Sequence, residues 1–344
     1  MIATHTTSTP ALQLLRMTDG LVVHQALCAA ARLGVADLLA DTERHVAEVA
    51  AALHVDQGAL YRTLRFLAGH GVFRQTAQST FANTPLSQYM RSDVPGSVRS
   101  VLIFRGGRFY FSPFVEFLSA VETGQPSRAR VLGEGGFQYL RRHPEEERVF
   151  DEAMTAISGL WAQTVAAAYD FGRWETLMDL GGGNGLLLAT ILRAHAGLRG
   201  VLADEPTVIA RAQSGGVLAG DLAARARCEA CDFFEAVPTG SRAVLMKNVL
   251  HDWDDGQARR ILLNCRRAVP DDGALLLVEY CVGEENVPSL GKTIDLVMLT
   301  VTGGKERTID EHQRLLGTAG FTLERTVRVA PDIMLLEALP ASVC

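Results

Sequence analysis

The sequence predicts an α/β protein: a mainly parallel sheet flanked by helices, led by a mostly helical region of winged-helix pattern. Short apolar runs near 176–180, 199–203, 242–247 and 274–280 alternate with helical stretches such as Gln257 to Ala268, the mark of βαβ units. Two strand-like runs then follow, Phe321 to Val329 and Asp332 to Leu339, joined at Ala330-Pro331. They predict an antiparallel hairpin at the sheet edge, unlike the two-fold dinucleotide domain, which repeats its parallel units.

The front end is read from periodicity. Met1 to Pro10, rich in Thr and Ser, is expected to be a loose tail. Leu14, Met17, Leu21, Val22, Ala26, Ala29, Ala30 and Leu33 recur at three- and four-residue steps, a helix over Gln13 to Leu33 stopped by Gly34. Val35 to Ala40 adds a short turn and His45 to Leu53 a second helix. Asp56 then caps Gln57 to His70, with Leu60, Leu64 and Leu67 on one face. Val72-Phe73-Arg74 and Thr80-Phe81-Ala82 form the two strands of a small wing.

A wing after helices opens a fork between reading DNA and pairing with a second chain. The would-be recognition helix offers only Arg62, Arg65 and His70, and the chain carries a net charge of -6. Phosphate neutralisation needs more than that, so no nucleic-acid partner is expected. The small apolar helix before the wing suits a homodimer contact. Pro95 to about Asp170 is mostly helical and concentrates Phe104, Phe109, Tyr110, Phe111, Phe114 and Phe117. It reads equally as a helical core joining two domains and as the wall of an aromatic-substrate pocket. The organisation expected is 1–100 winged helix, 101–170 connector and pocket wall, and 171–344 catalytic domain.

Composition narrows the classes further. The 344 residues are 48% hydrophobic and 21% charged, which is globular rather than disordered. The N-terminus has no secretory pattern and no apolar run reaches membrane-spanning length, so a cytoplasmic protein with no membrane partner is expected. Six cysteines, at 28, 228, 231, 265, 281 and 344, include one CxxC but no second pair at zinc spacing. They read as reduced thiols, with no metal site.

The chemistry sits at strand ends. The strand Thr176 to Leu180 runs into Gly181-Gly182-Gly183-Asn184-Gly185, a turn stripped of side chains where backbone can lie against a nucleoside cofactor. No Walker lysine follows it. Asp204 ends the next strand, where an acid accepts both ribose hydroxyls. Asp232-Phe233-Phe234 follows a third strand and suits adenine, with a carboxylate for the exocyclic amine and a ring for the base. Lys247 ends the fourth strand, four residues before His251.

Together these motifs are identified as a resemblance. Leu180 to Gly185, Asp204-Glu205-Pro206, Asp232-Phe233-Phe234, Lys247 to Asp255, Asn264 to Ala268 and Gly303 to Thr308 are similar to the S-adenosylmethionine-dependent O-methyltransferases of the caffeate, hydroxyindole and bacterial natural-product type. The likeness covers nearly the whole chain, including Phe150-Asp151-Glu152-Ala153-Met154. It implies a Rossmann-like class I methyltransferase sheet behind a dimerisation domain. It also implies S-adenosylmethionine as cofactor, held by Gly181, Gly183, Asp204, Asp232, Phe233 and Lys247. His251 would be the general base, flanked by Glu279 and Glu306, acting on a hydroxyl of a small aromatic metabolite.

Chemistry supports those types. A phenol has a pKa near ~10, and a histidine near ~6.5 can take its proton while a carboxylate fixes the tautomer. Glu279 ends an apolar strand, where an unpaired carboxylate is expensive. Glu306 lies in a Gly-rich charged loop, where a solvated ion-pair member is the other reading. Phe150, Met154, Asn248 and Met298 are the expected substrate contacts. Two departures from the family pattern are Glu205, an acid where relatives usually carry an apolar residue, and Asn248, where plant relatives often have an aromatic. The alternatives are a relative that binds the cofactor without transferring methyl (a hydroxylase, decarboxylase or pericyclase) and a winged-helix regulator.

Overall fold

In the computed structural model, residues 9–341 are described; Met1 to Ser8, which make up most of the expected tail, and Cys344 lie outside the described residues. The end of that tail is helical: Thr9 caps the helix Pro10–Thr18 by accepting from the Leu12 amide, and Pro10 fills its first turn. The chain divides into two compact units, residues 1–111 with 143–156 and residues 112–142 with 157–344. The stretch 101–170 is shared between them, and the helix Pro144–Ala168 has residues in both.

In the first unit the helices Gly20–Leu33, Val35–Leu39, Val46–Leu53 and Gln57–Gly69 follow the apolar spacing. Asp56 caps the last of them, its Oδ1 accepting from the Ala59 amide at 2.7 Å. The wing has three strands rather than two: β1 (Arg44–His45), β2 (Phe73–Ala77) and β3 (Thr80–Asn83), antiparallel in the order β1-β3-β2. Leu39, Leu64, Leu67, Phe73 and Phe81 form the core of this unit. Pro10–Thr18 buries no side chain, and Leu14, Leu15 and Met17 are 68%, 62% and 77% exposed.

The second unit is built on seven strands: β4 (Thr176–Leu180), β5 (Arg199–Asp204), β6 (Ala226–Ala230), β7 (Ala243–Lys247), β8 (Ala274–Tyr280), β9 (Phe321–Ala330) and β10 (Ile333–Pro340). Their order is β6-β5-β4-β7-β8-β10-β9. The first five in this order run parallel; β10 pairs antiparallel with both β8 and β9. This is the Rossmann-like mixed sheet that the sequence predicts.

Alternation along each strand makes the sheet two-faced. Leu177, Leu202, Leu245 and Leu276 pack on one face with Leu188, Ile191 and Leu192 of the helix Leu186–Ala194. Their neighbours Met178, Val201, Val244 and Leu275 pack on the other with Ala258, Ile261 and Leu262 of the helix Asp255–Ala268. Leu276 is fully buried, so truncating it to Ala costs about 2–5 kcal/mol. The chain winds outward from β4 in both directions, so the strand order reverses between β4 and β7. Ligands of open α/β sheets bind at the carboxyl edge of such a switch point. Both chemistry-bearing loops leave the sheet there.

Candidate active site

The loop after β4 is shaped by three left-handed glycines, Gly181, Gly183 and Gly185, with φ of +72°, +60° and +80°. A Cβ on Gly181 would sit 2.8 Å from the Val249 side chain, whereas one on Gly183 would meet nothing within 4 Å. The first glycine admits the neighbouring loop and the second leaves a bare backbone. The Gly183 amide donates to Asp204 Oδ2 at 2.9 Å and the Glu205 amide to Oδ1 at 2.7 Å. Asp204 is therefore fixed at the end of β5 with lone pairs to spare, and burial raises its pKa. Glu205 is exposed, with its carboxylate 3.9 Å from Arg141.

Asp232 and Phe233 follow β6. Asp232 Oδ1 accepts from the Phe234 amide at 2.8 Å, and Asn264 donates to the Phe233 and Phe234 carbonyls at 2.9 and 3.0 Å. Phe233 and Phe234 pack edge-on against Trp253, with centroids 6.2 and 4.7 Å away. Lys247 ends β7 half-buried, its pKa lowered by burial against the opposing pull of Asp179 and Glu279.

Asp179 was given no role by sequence reasoning, although an acid inside Thr176-Leu177-Met178-Asp179-Leu180 was visible. It is buried, its Oδ2 has no hydrogen-bond partner, and burial pushes its pKa up to about 7. A Cβ on Gly182 would lie 2.6 Å from its carboxyl, so the acid sits directly against the glycine loop.

The second cluster gathers three distant residues. His251 Nδ1 lies 2.6 Å from Glu306 Oε1, while Nε2 is 4.0 Å from Asp252 Oδ1. Ligand atoms of His251, Glu279 and Glu306 all lie within 4.8 Å of one another. Glu306 is 3% exposed, so it is a buried partner of the histidine and not a solvated loop acid. Glu279 is differently employed: its Oε1 accepts from the Val249 and Leu250 amides at 3.3 and 3.1 Å, holding the turn that carries His251.

Burial alone would lower the His251 pKa, but Glu306, Asp252 and Glu279 together push it up to about 9. Burial pushes Glu279 up to about 7 and raises Glu306 as well. Packing an imidazole among these acids favours its charged form.

The expected substrate contacts are divided. Asn248 follows β7 in a left-handed conformation, φ +53°, and donates its amide to the Val278 carbonyl. Met298 is buried on the helix Leu290–Val301, its sulfur 3.6 Å from the Thr302 hydroxyl. Phe150 and Met154 belong to the first unit, where Phe150 packs edge-on to Phe104 and Phe109. The five described cysteines are free thiols, and burial pushes Cys265 and Cys281 up to about 12, away from thiolate chemistry.

A nucleoside sulfonium fits the first cluster. The glycine turn offers bare backbone, Asp204 and Asp232 offer acceptors, Phe233 offers a ring, and the surrounding acids favour a cation. Among the described residues no helix is long and apolar enough to cross a membrane.

Comparison with known proteins places this geometry. Residues 114–322 match the O-methyltransferase domain and residues 15–93 the O-methyltransferase dimerisation domain. A phenazine O-methyltransferase from Lysobacter antibioticus is 40% identical over 95% of both chains. A phenazine-1-carboxylate N-methyltransferase from Pseudomonas aeruginosa is 30% identical, over 96% of this chain and 98% of the other. An O-methyltransferase from neocarzinostatin biosynthesis, crystallised with S-adenosylmethionine and 2-hydroxy-5-methyl naphthoic acid, superposes with a TM-score of 0.82 at 31% identity. That match covers 95% of this chain and 98% of the other. The chain belongs to the O-methyltransferase family and is an S-adenosylmethionine-dependent small-molecule methyltransferase with an N-terminal dimerisation domain.

Proposed function

We propose that the enzyme methylates a hydroxyl of a small aromatic substrate, with His251 as the general base. The observation that carries this reading is the 2.6 Å bond between His251 Nδ1 and Glu306. It occupies one ring nitrogen and leaves Nε2 to take the substrate proton, and Glu306 then stabilises the imidazolium. Gly181, Gly183, Asp204, Asp232, Phe233 and Lys247 would hold S-adenosylmethionine, which supplies an electrophilic methyl on a cationic sulfur. Glu279 acts through the backbone of the His251 turn.

A His251 pKa of about 9 sharpens the proposal. At pH 7 only about one base in a hundred is unprotonated, yet that fraction is close in basicity to a phenolate. Turnover should therefore climb with pH up to the titration of His251.

Asn248 and Met298 are proposed to contact the acceptor from the catalytic unit. Relatives that act on phenazines and a naphthoic acid support a fused aromatic. The exposed Leu14, Leu15 and Met17 support a homodimer built through the N-terminal helices.

The test is to incubate the protein with S-adenosylmethionine and a panel of hydroxylated phenazines and naphthoates, following S-adenosylhomocysteine and product mass. Stoichiometric S-adenosylhomocysteine with an O-methyl product bears the reading out. An N-methyl product from the same panel overturns the hydroxyl acceptor, a live contrast because one relative is an N-methyltransferase. Product without S-adenosylhomocysteine overturns methyl transfer itself.

A further inference from the structure

Arg307 is only 1% exposed and is the largest fully buried side chain among the described residues. A guanidinium has five N–H donors, and burying it is costly unless they are used. Here all five are. Nε donates to Asp255 Oδ1 at 3.0 Å, and Nη2 to the same oxygen and to the Trp253 carbonyl, both at 2.9 Å. Nη1 donates to the Leu250 carbonyl at 3.1 Å and the Lys305 carbonyl at 3.3 Å. Two of the bonded carbonyls, those of Leu250 and Trp253, bracket His251, one residue before it and two after.

The same residue reaches the other two members of the cluster through its backbone. It directly follows Glu306, whose amide is pinned to Asp295 Oδ1 at 2.9 Å. It bridges to Cys281, two residues beyond Glu279 on the β8 chain, and its carbonyl accepts from the Val282 amide at 3.1 Å. Gly304 closes the joint from the other side. A Cβ there would overlap the His251 carbonyl oxygen and the Asp252 carbonyl carbon, and would sit 2.6 Å from the Trp253 nitrogen. The two loops touch backbone to backbone.

We propose that Arg307 is a positioning residue for methyl transfer: with Gly304, it straps the His251 turn to the Glu306 loop and so holds the histidine on its carboxylate partner. The proposal rests on His251 being the base. Glu306 and His251 lie 55 residues apart on separate loops, and beside their own bond and the Lys305–Asp255 ion pair at 2.9 Å it is Arg307 and Gly304 that join those loops. The groups facing His251 are Glu306 from this loop, Glu279 from β8 and Asp252 from its own turn, with Arg128 acting on Asp252 from the helix Arg128–Leu132.

The experiment uses the full chain carrying Arg307→Lys and, separately, Gly304→Ala. NMR follows the imidazole titration of His251, assigned by its disappearance in His251→Gln. Calorimetry follows S-adenosylhomocysteine binding, and thermal melting follows the fold. Both variants are expected to move the His251 midpoint down by at least about one unit, toward the free imidazole value of ~6.5. Turnover should fall about tenfold, while S-adenosylhomocysteine affinity changes less than about twofold. Should Arg307→Lys fail to fold, Gly304→Ala decides, because it keeps the guanidinium and its Asp255 partner in the chain.

A titration unmoved in a folded variant overturns the strap. A titration that moves while His251→Ala keeps full turnover upholds the strap and overturns the base. The NMR readout is independent of catalysis, so the two failures are distinguishable.

Discussion

Replacing His312 should make the catalytic unit markedly more resistant to acid. His312 lies on the helix Ile309–Thr318, is 2% exposed, and neither ring nitrogen has a hydrogen-bond partner. Burial, reinforced by the nearby Arg307 charge, holds its pKa down to about 3. In the unfolded chain the value returns to ~6.5. The folded pKa is depressed, so the neutral ring's contribution is complete above pH 6.5 and is lost as pH falls toward 3. Linkage puts the loss between pH 8 and pH 5 at about 2 kcal/mol, and between pH 8 and pH 4 at about 3 kcal/mol.

His312→Leu removes that loss. It also removes a buried N–H whose missing partner costs about 1–3 kcal/mol, so the variant should be at least as stable at pH 8. Differential scanning calorimetry across pH 5 to 8 reads both effects. For a unit of this size, 2 kcal/mol corresponds to roughly 4–8 °C, so the melting gap should widen by that much at pH 5. A gap of constant width from pH 8 to pH 5 would refute the reasoning, because it would mean that the buried ring does not titrate against the unfolded state.

Glu306→Gln should keep a hydrogen-bond acceptor for His251 Nδ1 yet remove the charge that opposes burial. The ascending limb of the turnover profile, set by a His251 pKa of about 9, should then move down by roughly two units; a limb that stays in place excludes Glu306 as the charge partner. Asp204→Ala should weaken S-adenosylhomocysteine about ten- to a hundredfold by calorimetry, the worth of a charged hydrogen-bond acceptor, and an unchanged Kd would free Asp204 from the ribose. Leu15→Glu with Met17→Glu places charges on an exposed apolar helix face and should turn a dimer into a monomer in light scattering. A wild-type monomer at micromolar concentration would remove that interface altogether.

The sheet was legible because four of its five parallel strands, β4, β5, β7 and β8, are short and mostly apolar runs. Strands β4 and β8 begin and end where the pattern places them. Strand β1 was not, since two residues carry no period and its pairing partner, β3, lies some 35 positions away. The site was readable as residue types but not as a division of labour. Glu279 looked like the histidine's partner because its strand is apolar, yet its carboxylate serves the turn backbone. Glu306 was open to a second, solvated reading because its loop is rich in Gly and charge, whereas the fold buries it against His251. Asp179 was visible as an anomaly in an apolar strand, but its position against Gly182 depends on the fold of the turn.

Strand β10 sits between β8 and β9, so a strand made after every residue assigned to the chemistry covers the flank of the strand that carries Glu279. Translation runs from one end, and every group assigned to the chemistry is made before Ile333. Until β10 docks, β8 has a row of unpaired amides and carbonyls along one side, the kind of edge that recruits other strands. A chain truncated near residue 330 would contain the complete set of catalytic side chains and still be inclined to aggregate. The docking of β10, rather than the making of the base or its acids, is the step at which this enzyme becomes safe to accumulate.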